Sequence, residues 1–199
     1  MNVLVGVPVK RFFVAKRRLG PILDAEARSR LGRDLAAHTI STIAAAGGEP
    51  LVVAADGEVA RWAGASGWSA IVDQGTGLDA AAARAASMAE QQRRPWLIVH
   101  ADLPLLAEAD ISVALDALDT GREVIAPSND GGTSLLGAAR RVRFGYGPAS
   151  FHRHLARLEH PQVVVRLGLA LDLDDASDLA AARSHPRGRW LDRYPPPRP

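Results

Sequence analysis

Trp96-Leu97-Ile98-Val99-His100-Ala101-Asp102-Leu103-Pro104 decides how this chain is read. Four consecutive hydrophobes without polar alternation are the pattern of a strand covered on both faces, as in a parallel sheet. Pro104 keeps the next turn extended, and residues 108–118 have the composition of a helix. A carboxylate just past a buried parallel strand points into the crevice where open α/β sheets bind ligands. Asp102 is therefore either a ligand for a magnesium ion carried in on nucleotide phosphates, or the cap of the following helix.

The same alternation of apolar runs and alanine-rich stretches extends in both directions. Towards the N-terminus it predicts strands at 2–8, 51–55 and 68–72. A long helix runs between Asp24, as N-cap, and Gly47-Gly48, and shorter helices cover 58–65 and 78–92. Beyond the 108–118 helix come strands at 123–126 and 134–139, a helix over 148–158, a strand at 162–167 and a helix over 176–184. The class is α/β with a mostly parallel sheet. Residues 1–184 form one domain, and the Pro- and Arg-rich tail 185–199 is expected to hold no regular structure.

Composition narrows the function. The 199 residues are 47% hydrophobic and 23% charged with a net charge of +2, an ordinary globular balance. Aromatic residues make up only 5% and the arginines are scattered, so no basic and aromatic stripe marks a nucleic-acid partner. There is no cysteine, hence no disulfide frame or thiolate chemistry. No signal-peptide order and no bilayer-length apolar run occurs, which predicts a cytoplasmic protein without a membrane partner. A homodimer is left open.

Four segments carry chemistry. All but two of the 24 basic residues are arginine, and the two lysines, Lys10 and Lys16, both fall in Val-Pro-Val-Lys-Arg-Phe-Phe-Val-Ala-Lys-Arg-Arg-Leu after the first strand. A compact ammonium suits a phosphate site, and Lys10, Lys16, Arg17 and Arg18 would surround a triphosphate; otherwise the segment is a solvated basic loop. Asp102 is the second. The third is Leu171-Asp172-Leu173-Asp174-Asp175. In an extended chain Asp172 and Asp174 share one face while both leucines enter the core. Such paired acids either hold a cation with Asp102 or cluster at a helix start, and Asp175 is assigned to the cap. Fourth are two glycine turns, Asn129-Asp130-Gly131-Gly132-Thr133-Ser134 and Gly145-Tyr146-Gly147-Pro148-Ala149-Ser150-Phe151, which form either an anion cradle for a small carboxylate or ordinary turns. Gly75-Thr76-Gly77 is a weaker glycine signal. His152 and His154 lack a completing ligand set and are expected to be surface or packing residues.

Taken together, Val-Pro-Val-Lys, Ala-Lys-x-Arg-Leu, Ala-Asp-Leu-Pro-Leu-Leu, Gly-Gly-Thr, Tyr-Gly-Pro-Ala-Ser-Phe and Leu-Asp-Leu-Asp resemble the CofC/FbiD guanylyltransferases of coenzyme F(420) biosynthesis, in order and over nearly the whole chain. The resemblance implies a Rossmann-like nucleotidyltransferase fold of the GT-A/MobA-like kind, a three-layer sandwich. It implies transfer of GMP from GTP to 2-phospho-L-lactate or phosphoenolpyruvate. It also implies that Asp102, Asp172 and Asp174 hold one or two magnesium ions. Thr133, Gly147 and Ser150 would then hold the acceptor carboxylate, Lys10, Lys16 and Arg18 would act on the phosphates, and Gly75, Gly77 and Asp79 would lie at the nucleotide. The chain departs from the family at Arg11-Phe12-Phe13, Asp79, Ser134 and Asp175-Ala176; Asp79 adds negative charge at the nucleotide pocket. Two alternatives stand beside this reading: a related transferase with a molybdopterin or sugar-phosphate acceptor, and a non-catalytic nucleotide-binding module.

Overall fold

Strand β4, Trp96–Val99, is buried at every residue and lies between β1, Leu4–Val9, and β6, Thr133–Ala138. The computed structural model describes residues 2–14, 16–73 and 77–194. With β2 (Glu49–Ala54), β3 (Ser69–Val72), β5 (Glu123–Pro127) and β7 (Pro161–Val163), these strands make a seven-stranded sheet in the order β3-β2-β1-β4-β6-β5-β7. All pairings are parallel except those of β6, which runs antiparallel to both β4 and β5.

Helices cover both faces. Helices α1 (Ala25–Ala45), α2 (Gly57–Ala65), α4 (Glu108–Asp119) and α6 (Leu167–Ala170) pack on one side, using Ile40, Ile43, Val59, Ile111 and Leu169 against Val5, Val7, Leu97 and Val99. Helix α3 (Leu78–Gln91) covers the other with alanines. It lies so close to β1 that a Cβ on Gly6 would come within 2.5 Å of Ala85 Cβ. The result is the expected three-layer α/β/α sandwich.

Local signals place the helix ends as the sequence predicts. Asp24 accepts the Ala27 N–H at 2.7 Å. Asp175 accepts from Ser177 and Asp178 at the start of α7, Ala176–Ser184, and Asp178 bonds back to Asp175 N–H at 2.9 Å, a reciprocal cap.

Three expectations change. The strand expected over 162–167 pairs for only three residues at the sheet edge, and Leu167 opens α6 instead. Val165 is 75% exposed, so that run of β-branched residues lacked the burial a strand interior needs. The helix expected over 148–158 shortens to α5, Ser150–Leu155, because Gly147 (φ 119°) and Ala149 (φ 54°) enter it in left-handed conformations. The tail is not irregular throughout: Pro186–Arg193 form 3-10 turns packed on α7. Five attachments explain this. Leu191 is fully buried, Arg187 pairs with the buried Asp110 at 3.3 Å, and Gly188 touches Ala182 where a Cβ would clash at 1.9 Å. Trp190 Nε1 donates to the Pro104 carbonyl at 3.1 Å and Tyr194 Oη to Asp34 at 2.6 Å.

Candidate active site

The carboxyl end of β4 and the segment 171–174 meet through one backbone hydrogen bond, Leu173 N–H to the Asp102 carbonyl at 3.0 Å. Leu171 and Leu173 are buried while Asp172 is half-buried and Asp174 exposed, so the period-two alternation does face both acids outward. Asp102, Asp172 and Asp174 thus share one rim.

Lys16 reaches the same rim. Its Nζ lies 2.8 Å from Asp102 Oδ2 and 3.2 Å from Asp174 Oδ1, with the side chain only 8% exposed. The backbone of Lys16 is left-handed (φ 55°), which costs a non-glycine residue roughly 1 kcal/mol; the paired carboxylates offset that. The surrounding loop is pinned by buried Phe12, against Trp62 and under the Arg33 guanidinium, and by Leu19 and Leu23. Thus Arg11-Phe12-Phe13 supplies an anchor as well as charge.

Charges on the rim are unevenly balanced. Burial opposes the Lys16 ammonium, yet Asp102 and Asp174 raise its pKa above the ordinary lysine value. Burial also opposes the Asp102 carboxylate, but Lys16, with His100 and Lys10, holds it down at about 2. Asp172 is the reverse: burial first, then the charges of Asp102, Asp130 and Asp174, push it up to about 6. A carboxylate short of positive charge beside two more hard oxygen donors suits a divalent cation such as magnesium. Among the described residues no three His, Asp or Glu side chains stand in an arrangement that could hold a metal, and Lys16 lies between two of the three acids.

Two adjoining clefts flank this rim. One of about 170 Å³ is lined by Lys10, Lys16, His100, Asp102 and Asp174. The other, about 290 Å³, runs over the ends of β1 and β2 past Lys10, Ala55, Asp73, Gly77 and Leu78. Lys10 is exposed in both, and Arg18 is exposed near Asp175, whose carboxyl it helps hold below the usual range after the Ser177 and Asp178 hydrogen bonds. Gly77 caps α3 with φ 104°, whereas Gly75 lies outside the described residues. Asp79, expected at the nucleotide, does not line the second cleft: its Oδ1 accepts the Tyr146 N–H at 2.7 Å and so clasps α3 to the second glycine turn.

That turn and the first come together as a pair. Thr133 and Ser150 are buried with their hydroxyls 3.2 Å apart, Gly147 accepts the Ser150 N–H at 3.0 Å, and Phe151 N–H reaches the Gly131 carbonyl at 3.3 Å. The His100 N–H donates to the Ser134 carbonyl at 3.0 Å, which sets this cradle next to the acid rim.

Four residues here escaped the sequence reading. His100 Nε2 and Tyr146 Oη are buried with no hydrogen-bond partner, their rings 5.4 Å apart. Burial drives the His100 pKa down and, with the Asp79 charge, the Tyr146 pKa up. Asp130 stands close enough to act on Asp172. Of the two histidines expected at the surface or in packing, His154 is fully buried and His152 exposed; what escaped is the polar partner of His154. The one signal available for His100 was its place two residues before Asp102 at a strand end. Nothing in spacing linked His154 to Thr133.

Comparison with known proteins bears on the family and the fold. The sequence pattern of the family described as "Guanylyl transferase CofC like" matches residues 1–194. The chain is 31% identical to the 2-phospho-L-lactate guanylyltransferase of Methanothermobacter thermautotrophicus over 200 aligned residues, 98% of this chain and 90% of that protein. It is 33% identical to the phosphoenolpyruvate guanylyltransferase of Rubrobacter xylanophilus, over 90% of this chain and 93% of that one. In fold it is similar to the crystal structure of a putative nucleotide-diphospho-sugar transferase from Desulfovibrio desulfuricans G20, with TM-score 0.77, 18% identity, and coverage of 97% and 95% of the two chains. A nucleotidyl transferase from Methanothermobacter superposes with TM-score 0.60 at 16% identity, over 93% of this chain and 98% of that one. The family pattern matched over residues 1–194, with 31% and 33% identity over most of the chain to two guanylyltransferases, makes this chain a member of the CofC-like guanylyltransferase family.

Proposed function

We propose that this protein moves GMP from GTP onto the phosphate of phosphoenolpyruvate or 2-phospho-L-lactate and releases pyrophosphate, the guanylylation step of coenzyme F(420) assembly. The observation that carries the reading is the meeting of Asp102 with Asp172 and Asp174 at one rim, tied by the Leu173 to Asp102 backbone hydrogen bond.

An acceptor phosphate oxygen attacks the α-phosphorus of GTP, a new P–O bond forms, and the bond to the β-phosphate bridge oxygen breaks, its electron pair leaving on pyrophosphate. Two phosphate-bearing anions repel, so the chain's task is alignment and neutralisation. The nucleotide occupies the cleft over β1 and β2, with Gly77 at its edge, and the exposed Lys10 and Arg18 attract its phosphates. Thr133, Gly147 and Ser150 orient the acceptor through its carboxylate. By resemblance Asp102, Asp172 and Asp174 are the acids that would hold magnesium, which when bound supplies positive charge to the reacting phosphates; they are not gathered as a ready ligand set, and Lys16 would have to yield its place between Asp102 and Asp174. Lys16 already serves two of these acids, so acids and phosphates compete for one ammonium.

The test gives pure protein and magnesium each nucleoside triphosphate in turn against phosphoenolpyruvate, 2-phospho-L-lactate and 3-phosphoglycerate, with pyrophosphate and product mass recorded. A guanylylated product from either of the first two acceptors, dependent on GTP, is expected. Failure of all acceptors, or product with 3-phosphoglycerate alone, overturns the reading.

A further inference from the structure

Both ring nitrogens of His154 are engaged. The Gly145 N–H donates to Nε2 at 2.9 Å, and only a nitrogen with a free lone pair accepts. In the neutral ring the proton therefore sits on Nδ1, which donates to Thr133 Oγ1 at 2.9 Å. Burial, then the charge of Arg157, hold this histidine at about 4, so it stays neutral near pH 7.

The consequence falls on two hydroxyls. Thr133 also accepts from Ser150 Oγ at 3.2 Å. Two hydroxyls carry two protons; one lies between them and none goes to His154, so one O–H donor is uncommitted. The opposite tautomer would draw the Thr133 proton onto Nδ1, leave no donor, and set Nε2–H against Gly145 N–H. Thr133, Ser150 and His154 are at most 1% exposed, so bulk water does not scramble this arrangement, and a carboxylate would approach the hydroxyl pair from the exposed Gly147 side of the turn. His154 also stands edge-on to Tyr146 at 4.8 Å, and Arg153 donates to the Gly145 carbonyl at 2.9 Å, which fixes the same turn from its other side.

We propose that His154 is a positioning residue of the acceptor subsite: its Nδ1–H on Thr133 leaves the Thr133–Ser150 pair one O–H donor for the carboxylate of the phospho-acid, while its Nε2 holds the turn that carries Gly147. This rests on the guanylyl-transfer reading above. It gives a side chain outside substrate contact control over which acceptor chemistry binds.

The test separates the two nitrogens. In His154→Asn the amide nitrogen takes the place of Nδ1 and keeps the donor to Thr133; in His154→Gln the amide lies at the Nε2 position and the donor is lost. Steady-state KM is measured for GTP and for the better phospho-acid, with Tm alongside. For His154→Gln we expect acceptor KM to rise about tenfold or more while GTP KM stays within about twofold, and for His154→Asn an acceptor KM within about threefold of wild type. Thr133→Val should raise acceptor KM by itself, and adding His154→Gln to it should change acceptor KM no further, since both act through one hydroxyl. The inference is overturned if His154→Gln leaves acceptor KM unchanged, if both substrates' KM rise together, or if the effects of Thr133→Val and His154→Gln simply add. Wild-type protein inactive towards both phospho-acids defeats the underlying reading instead, and the inference falls with it.

Discussion

The acid rim and the glycine-turn cradle sit side by side, yet they are built on opposite principles. At the rim, charges stand on strand ends and loops, with Asp174 half exposed, and they are balanced by one lysine from far along the chain. In the cradle the polar groups are neutral, buried and ordered by hydrogen bonds among Thr133, Ser150, His154 and Gly145. The rim, three acids against one ammonium, is suited to strong, weakly directional attraction of cations. The cradle is suited to selecting a small carboxylate, because a buried network tolerates few geometries.

That contrast breaks first at Asp102. Replacing it with alanine is expected to lower kcat at least about a hundredfold, the effect of losing an interaction of about 2.7–4 kcal/mol in the transition state. Tm should fall too, because the buried Lys16 loses its 2.8 Å partner, while the Leu173 N–H bond to the residue 102 carbonyl remains; near-normal turnover would remove Asp102 from the chemistry.

Leu191→Ala tests whether the rim is braced from below. The tail packs against Leu105 and Trp190 bonds to Pro104, close after Asp102, and the substitution is expected to cost about 2–5 kcal/mol in urea unfolding. A cost near zero would mean the tail contributes no core.

Lys16→Met sharpens the rim's electrostatics. The Asp102 carboxylate loses its main counter-charge, so stability should drop by about 1–3 kcal/mol. Millimolar magnesium should restore more Tm to this variant than to wild type. Equal magnesium effects on both would show that the acids and Lys16 do not share a cation place.

The smallest effect belongs to the cradle and appears in its pH dependence. His154 has a folded pKa of about 4 against an ordinary value of 6.5. Between these values the unfolded chain binds the proton and the folded one does not, so this contribution is present above about pH 6.5 and is lost as pH falls towards 4. Arg157 and Arg153 strengthen the depression while Asp79 opposes it. Comparing Tm of wild type and His154→Asn across that window should show the wild type losing more on acidification; parallel curves would contradict a buried neutral imidazole.

How far the molecule was legible follows from the same contrast. Local signals were readable: the unbroken hydrophobes of β4, the caps at Asp24 and Asp175, and the alternation that faces Asp172 and Asp174 outward. Direction was not, since a run such as Ser134-Leu135-Leu136 pairs equally well in either sense, and β6 proved antiparallel. Long-range partners were hidden as well. Lys16 meets acids 86 and 158 positions away, and His154 meets Thr133 across 21, with no periodicity to announce either. The tail's prolines suggested no regular structure, but over Pro186–Arg193 the attachments of Arg187, Gly188, Trp190, Leu191 and Tyr194 decided otherwise; residues 195–199 lie outside the described residues. Membership of a guanylyltransferase family was legible because its motifs are local and ordered along the chain.

The most direct test of the central claim, that three distant acids serve one guanylyl transfer, is phosphorus NMR of a mixture of protein, magnesium, GTP and the preferred phospho-acid. The expected spectrum gains coupled signals of a new phosphoanhydride together with free pyrophosphate, and neither grows in with Asp102→Ala. Orthophosphate in place of pyrophosphate, or the same product from the Asp102→Ala protein at an undiminished rate, would contradict the account.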